Sequence, residues 1–200
     1  MNSMANMNIT KRVIREAFME LLNERPMNKI TVRDITDRCG VNRNTFYYHY
    51  QDVPALVEEI CALQVERLVH DYPKISSIDE CLDAAMKFAL ENKRAIMHLQ
   101  SSSNWGVYVS TLWRICEQAV RTYVDTVFGN EKISDRDREI IIRYLKCECF
   151  GLNIDWISNG MKTEILDDMH RLCELKEGST EEMIRRSQGK SQRFKQILPV

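Results

Sequence analysis

Few residues in this chain break a helix: four prolines and seven glycines are spread over 200 positions. That scarcity argues for an all-α fold. No apolar run approaches the roughly 20 residues that cross a bilayer, and no charged-then-apolar leader opens the chain, so the expected location is the cytoplasm, with no membrane partner. The seven cysteines are odd in number and sit inside apolar helical patterns such as Ile60-Cys61-Ala62 and Arg114-Ile115-Cys116. They read as reduced, buried thiols rather than a disulfide framework. The four histidines are scattered, no serine or cysteine stands in a nucleophile motif, and neither a glycine-rich phosphate loop nor an internal repeat occurs. Neither catalysis nor a cofactor is expected.

What is present is uneven charge. Residues 1–50 carry eight Lys or Arg against five Asp or Glu, a charge of +3, leaving −4 for residues 51–200. The length suits a small basic head joined to a larger body, and the excess at the head is modest support for a nucleic-acid partner.

The head reads as three helices. Val13, Ile14, Ala17, Phe18, Leu21 and Leu22 recur at three- and four-residue spacing over Thr10 to Asn23, which predicts a helix with one buried face, stopped by Pro26. Thr31-Val32-Arg33-Asp34 has the pattern of a capping box, and Ile30 with Ile35 that of a hydrophobic staple across it. Val32, Ile35 and Cys39 form the predicted inward stripe of this second helix, which Gly40 ends through a left-handed C-cap. Val41 fills the turn, and Asn42 is placed to cap a short third helix from Arg43 to about His49. Two helices joined by a short glycine-containing turn are the layout in which the second helix enters the DNA major groove.

The content of that third helix supports the reading. Arg43, Asn44, Thr45, Tyr47, Tyr48 and His49 supply guanidinium, amide, hydroxyl and aromatic groups suited to phosphates and base edges, while Phe46 and Tyr50, four apart, are expected inside. Thr31, Arg33 and Asn42 complete the set of candidate DNA contacts. The alternative is that the aromatics simply pack against the next helix.

The stretch Ile30-Thr31-Val32-Arg33-Asp34-Ile35, continued by Cys39-Gly40-Val41-Asn42-Arg43-Asn44-Thr45-Phe46-Tyr47-Tyr48-His49-Tyr50, resembles the head of the TetR/AcrR family of bacterial transcriptional regulators. The resemblance covers roughly residues 9–60. It implies a homodimer that binds a near-palindromic double-stranded DNA operator, usually as a repressor, and leaves it when a small-molecule effector enters the C-terminal body. It divides the chain into a helix-turn-helix DNA-binding domain at 1–52 and a helical ligand-binding and dimerisation domain at 53–200. There is one departure: the family commonly places a lysine at the start of the fourth helix, where this chain has Val53.

In the body, a helix from Asp52 to about His70 has Val53, Leu56, Val57, Ile60, Leu63 and Val65 on a wide apolar face. In the family this helix joins head to body, so a change in its pitch alters the separation of the two heads of a dimer. Ile78–Leu90, Lys93–Leu99, Trp105–Phe128 and Asp135–Asn159 also read as helices, and residues 180–200, with few apolar anchors, as a mobile tail. Phe88, Met97, Trp105, Tyr108 and Trp113 are candidates to line an apolar ligand cavity, against the plainer reading that they are ordinary core. On the helix from Asp135, Gly151, Leu152, Asp155 and Trp156 match a Gly-then-Trp helix that in the family, together with the helix after it, pairs across the two-fold axis as a four-helix bundle. Trp156 is then an interface anchor or, alternatively, intrachain core.

Cys147, Cys149, His170 and Cys173 are all potential zinc ligands, but residues two apart on a helix point about 200° from each other, which separates Cys147 from Cys149, and no metal is expected. A second function class stays open: a DNA-organising or partner-binding protein with the same head and no small-molecule inducer.

Overall fold

The computed structural model describes residues 2–189, which among themselves form helices and no strand. Those of the N-terminal region are α1 (Asn2–Glu24), a 3₁₀ turn at Met27–Lys29, α2 (Val32–Cys39), α3 (Arg43–His49) and α4 (Val53–Asp71). They are followed by α5 (Ile78–Glu91), α6 (Lys93–Gln100), α7 (Trp105–Phe128), α8 (Asp135–Ser158), α9 (Thr163–Leu175) and α10 (Ser179–Gln188). The all-α expectation therefore holds.

Packing divides these helices into two compact units, residues 2–71 with Met86–Ile115 and Tyr72–Ala85 with residues 116–189. In the first, α1 lies against α2 and α6. Its buried face is the predicted one: Ile14, Ala17, Phe18, Leu21 and Leu22 have almost no exposed surface. The His98 ring holds α6 to the end of α1, its Nδ1 2.6 Å from the Leu22 carbonyl oxygen. Because a carbonyl only accepts, that nitrogen carries the proton.

In the second unit, α8 packs with α9 and α10 around Leu145, Cys149, Trp156, Ile157, Met169 and Ile184. Ser134 caps α8 by accepting from the Asp137 amide, and Asp135 and Asp137 place negative charge in the first turn, where the helix dipole favours it. Ser76 and Ser77 act together at the start of α5. Ser77 Oγ accepts from the Glu80 amide at 3.1 Å, and the Glu80 carboxylate accepts from the Ser76 amide at 2.6 Å.

Four expectations need correction. The first helix starts at Asn2 rather than Thr10, because nothing in Asn2–Ile9 forbids helical backbone. In α2 the buried partner of Ile35 is Thr36, while Val32 and Cys39 are only half-buried. Thr36 fits because its hydroxyl donates to the Arg33 carbonyl at 3.0 Å, which satisfies the polar atom within the helix. The expected mobile tail contains α10, whose Thr180 and Ile184 are buried and anchor a segment otherwise poor in apolar residues. The remainder of that tail, from residue 190, lies outside the described residues. Trp156 is 1% exposed within its own chain and its indole Nε1 donates to the Lys162 carbonyl at 3.1 Å. It has no surface left to bury against a partner and is intrachain core.

Candidate DNA-binding face

The second helix of the head is fixed by its box. Thr31 Oγ1 accepts from the Asp34 amide at 3.2 Å, and Asp34 Oδ2 accepts from the Thr31 amide at 2.8 Å and from the Thr31 hydroxyl at 2.6 Å. These hydrogen bonds hold the Asp34 carboxyl below its ordinary range, helped by the charge of Arg25 at 3.0 Å. At the other end Gly40 adopts φ 70°, ψ 21° and donates back to the Thr36 carbonyl. The chain then reverses through Val41 and Asn42, whose Oδ1 accepts from the Thr45 amide at 2.8 Å and from the Thr45 hydroxyl at 3.1 Å.

Capping occupies part of the candidate set. Thr31 donates its hydroxyl proton to Asp34 and Thr45 donates its own to Asn42 Oδ1, so these three side chains first define where α2 and α3 begin. Their remaining capacity is the Asn42 amide donor and hydroxyl lone pairs. Arg33 is exposed and pairs with Asp37 at 3.4 Å on the next turn.

The outward face of α3 carries the rest. Arg43 and Asn44 are exposed, Tyr47 and Tyr48 are 56% and 77% exposed, and His49 is half-buried with its ring edge-on to Tyr48 at 5.0 Å. Both tyrosines thus stand well into solvent on a seven-residue helix. Beneath them Phe46 has no exposed surface, packs edge-on to Tyr47 at 5.6 Å and lies 5.7 Å from the buried Tyr50. The inward and outward assignments of α3 thus match the sequence reading.

One element of this face was not foreseen. Glu59, on α4, receives Lys11 Nζ at 2.6 Å and Arg15 Nη1 at 2.7 Å from α1, and the Tyr50 hydroxyl at 3.1 Å from the end of α3. Partial burial would push the Glu59 carboxyl up, yet its partners bring it below the ordinary value. Burial first, and then the Glu59 charge, push the Tyr50 phenol up to about 12. The spacing of Lys11 and Arg15 on one face was a visible signal, but their acceptor lies 44 or more residues away. Val53 sits half-buried where a lysine was expected, and Asp52 caps α4 by accepting from the Ala55 amide at 2.8 Å.

The candidates for effector binding differ in exposure. Tyr108 is buried and stacks on half-buried Trp105 at 5.0 Å, while Met97 and Trp113 are also half-buried, and the Phe88 side chain lies outside the described residues. Tyr108 lines an apolar void between α1, α4 and α6 that holds about 20 Å³, room for one water. Among the dimerisation candidates, Gly151 is exposed with no atom within 4 Å of where a Cβ would stand, Leu152 is half-buried and Asp155 is exposed. Cys147 and Cys149 face opposite ways, one exposed and one buried.

A capped helix-turn-helix with a polar aromatic outer face is the architecture of a DNA-binding transcriptional regulator. Residues 14–60 match the family described as bacterial regulatory proteins, tetR family, and residues 76–178 match its transcriptional regulator C-terminal region. The chain belongs to the TetR family, whose members bind DNA and act as dimers. Among solved structures, it is similar to the dihydroxyacetone kinase operon activator DhaS, with 19% identity and a TM-score of 0.62 over 84% of this chain and 97% of that one. That likeness concerns the fold. No curated protein matches by sequence. No described helix is long and apolar enough to cross a membrane.

Proposed function

We propose that this protein is a sequence-specific repressor that binds a palindromic operator as a homodimer and is released by a small ligand held in residues 53–200. The observation that carries it is the outer face of α3, where Arg43, Asn44, Tyr47 and Tyr48 stand in solvent on a helix anchored by Phe46. Arg43 and Asn44 have the chemistry to read base edges, and the tyrosine hydroxyls and His49 to fix register on phosphates. Thr31, Arg33, Asn42 and Thr45 flank that helix and complete the DNA-facing set. Residues 1–52 are the DNA-binding domain in this reading, and α8 with exposed Gly151 and Asp155, beside Leu152, offers the dimer surface.

A second reading is a regulator or DNA-organising protein with a protein partner in place of an inducer. It is favoured by the small volume, about 20 Å³, of the apolar void that Tyr108 lines. Activation in place of repression is a variant, suggested by the solved neighbour being an operon activator.

The test is fluorescence anisotropy against DNA from upstream of the protein's own gene, with a scrambled control and a salt series. Binding well above the control that weakens steeply with salt supports a sequence-specific regulator. Equal weak binding to both, followed by failure to enrich any sequence from random DNA, overturns it.

A further inference from the structure

The corner between α1 and α2 contains a backbone acceptor that its own helix cannot satisfy. α1 ends at Glu24, and the residue four beyond Leu22 is Pro26, which has no N–H to give the Leu22 carbonyl. Leu22 is 3% exposed, so bulk water is a poor substitute. The donor comes from 76 residues away, where His98 Nδ1 on α6 lies 2.6 Å from that oxygen.

The rest of α6 is built around the same corner. Its buried Ala95, Ile96 and Leu99 line, with Leu22 of α1 and Val57 and Ile60 of α4, the void of about 20 Å³. In the turn after α6, the Ser102 hydroxyl donates to the Leu99 carbonyl at 2.7 Å and stands 3.8 Å from the sulfur of buried Met27. Met27 opens the 3₁₀ turn that leads to the Thr31 cap. Arg25, paired with Asp34 at 3.0 Å, spans the corner from within the head.

Packing groups α6 with α1 to α4, while α5 and α7, its neighbours in sequence, each continue into the second unit. α6 thus belongs to the head although the chain reaches it only through helices of the body. What lies beyond the corner is the DNA face: α2 starts at Val32, and only Gly40, Val41 and Asn42 separate it from α3. Base contacts tolerate displacements of only about 0.5 Å or 10–20°. A corner that shifts carries both helices out of register.

We propose that His98 is a positioning residue for DNA binding, which fastens the α1–α2 corner to α6, so that displacement of α6 loosens α2 and α3. That these helices read an operator rests on the function proposed above; the fastening itself does not.

The experiment is amide hydrogen exchange of the full chain, with anisotropy on operator and scrambled DNA. His98→Phe keeps a ring and removes the donor, His98→Asn returns an amide nitrogen to the place of Nδ1, and His98→Ala stands in if the Phe variant does not fold. Loss of the donor should quicken exchange in residues 25–39 about tenfold with α4 unchanged, and weaken operator binding about five- to tenfold. His98→Asn should recover most of both. A side chain that only stabilised the unit would quicken exchange in α4 equally and would overturn the proposal. Coupling is reciprocal, so operator should slow exchange in residues 95–99 of the wild type and not of the donorless variant. Wild-type exchange in residues 25–39 of that variant, equal losses in His98→Phe and His98→Asn, or no effect of bound operator on residues 95–99 also overturns the proposal. A wild type that binds operator no better than scrambled DNA, with the exchange pattern as expected, loses only the regulatory reading. One that binds operator equally well with and without the His98 donor loses only the positioning role.

Discussion

The Tyr50 hydroxyl donates to the Glu59 carboxylate at 3.1 Å, and this bond ties the end of α3 to the second turn of α4. Lys11 closes the arrangement from α1, its ammonium 2.6 Å from the other Glu59 oxygen and 5.3 Å from the centre of the Tyr50 ring. Three helices therefore share one partly buried carboxylate, so the direction in which α3 presents its outer face depends on where α4 holds Glu59.

Replacing that carboxylate should uncouple them. Glu59→Ala leaves Lys11, Arg15 and Tyr50 without their common acceptor and is expected to cost about 1–3 kcal/mol. Urea unfolding measures it, and a loss below about 0.5 kcal/mol, the range of an ordinary surface substitution, would show the cluster to be incidental.

Arg43→Ala and Tyr47→Ala are expected to weaken operator binding by about 1–3 kcal/mol each with little change in melting temperature. Both side chains are solvent-exposed, so the fold does not depend on them. Unchanged affinity at fixed salt in either folded variant removes that residue from the DNA face.

Gly40→Ala isolates backbone strain. No atom lies within 4 Å of the Cβ it would add, so the expected cost of about 1–2 kcal/mol comes from φ +70° alone. Differential scanning calorimetry should show a lower transition with operator affinity retained well below it. A neutral substitution would mean that the turn relaxes to another conformation.

Alkaline stability has a direction that can be checked. The Tyr50 phenol is raised from its ordinary 10 to about 12, so the folded state holds its proton more tightly than the unfolded chain does. Its contribution is complete below pH 10 and is lost as pH rises toward 12. Tyr123 behaves alike, also pushed up to about 12 by burial. Tyr50→Phe should therefore flatten, without abolishing, the fall in stability over that window, followed by chemical denaturation at several pH values.

On α8, core and candidate interface separate. Trp156→Ala should lower stability by about 3–5 kcal/mol, because it empties a buried site. Gly151→Leu adds a side chain where the single chain has open space, so monomer stability should hold while sedimentation shows dissociation. A dimer that survives Gly151→Leu excludes that stretch of α8 from the interface.

Much of the head was legible because its signals are local. The box at Thr31 and Asp34, the left-handed Gly40, the Asn42 cap and the four-residue spacing of Phe46 and Tyr50 act within one or two helical turns. Propensity, capping and periodicity are properties of adjacent residues. The long helices of the body were legible for the same reason, while α9 and α10 were not, since one or two buried residues among polar ones leave little pattern.

The sequence by itself determined the helical class, the helix-turn-helix and which face of α3 meets solvent. Only the tertiary structure decided that Trp156 is core, that Glu59 gathers Lys11, Arg15 and Tyr50, and that His98 meets the Leu22 carbonyl. The difference is one of distance along the chain. A cap or a stripe is fixed by neighbours a few residues away, whereas a shared carboxylate or a distant donor exists only once segments dozens of residues apart have packed, and no local preference encodes which of them will meet.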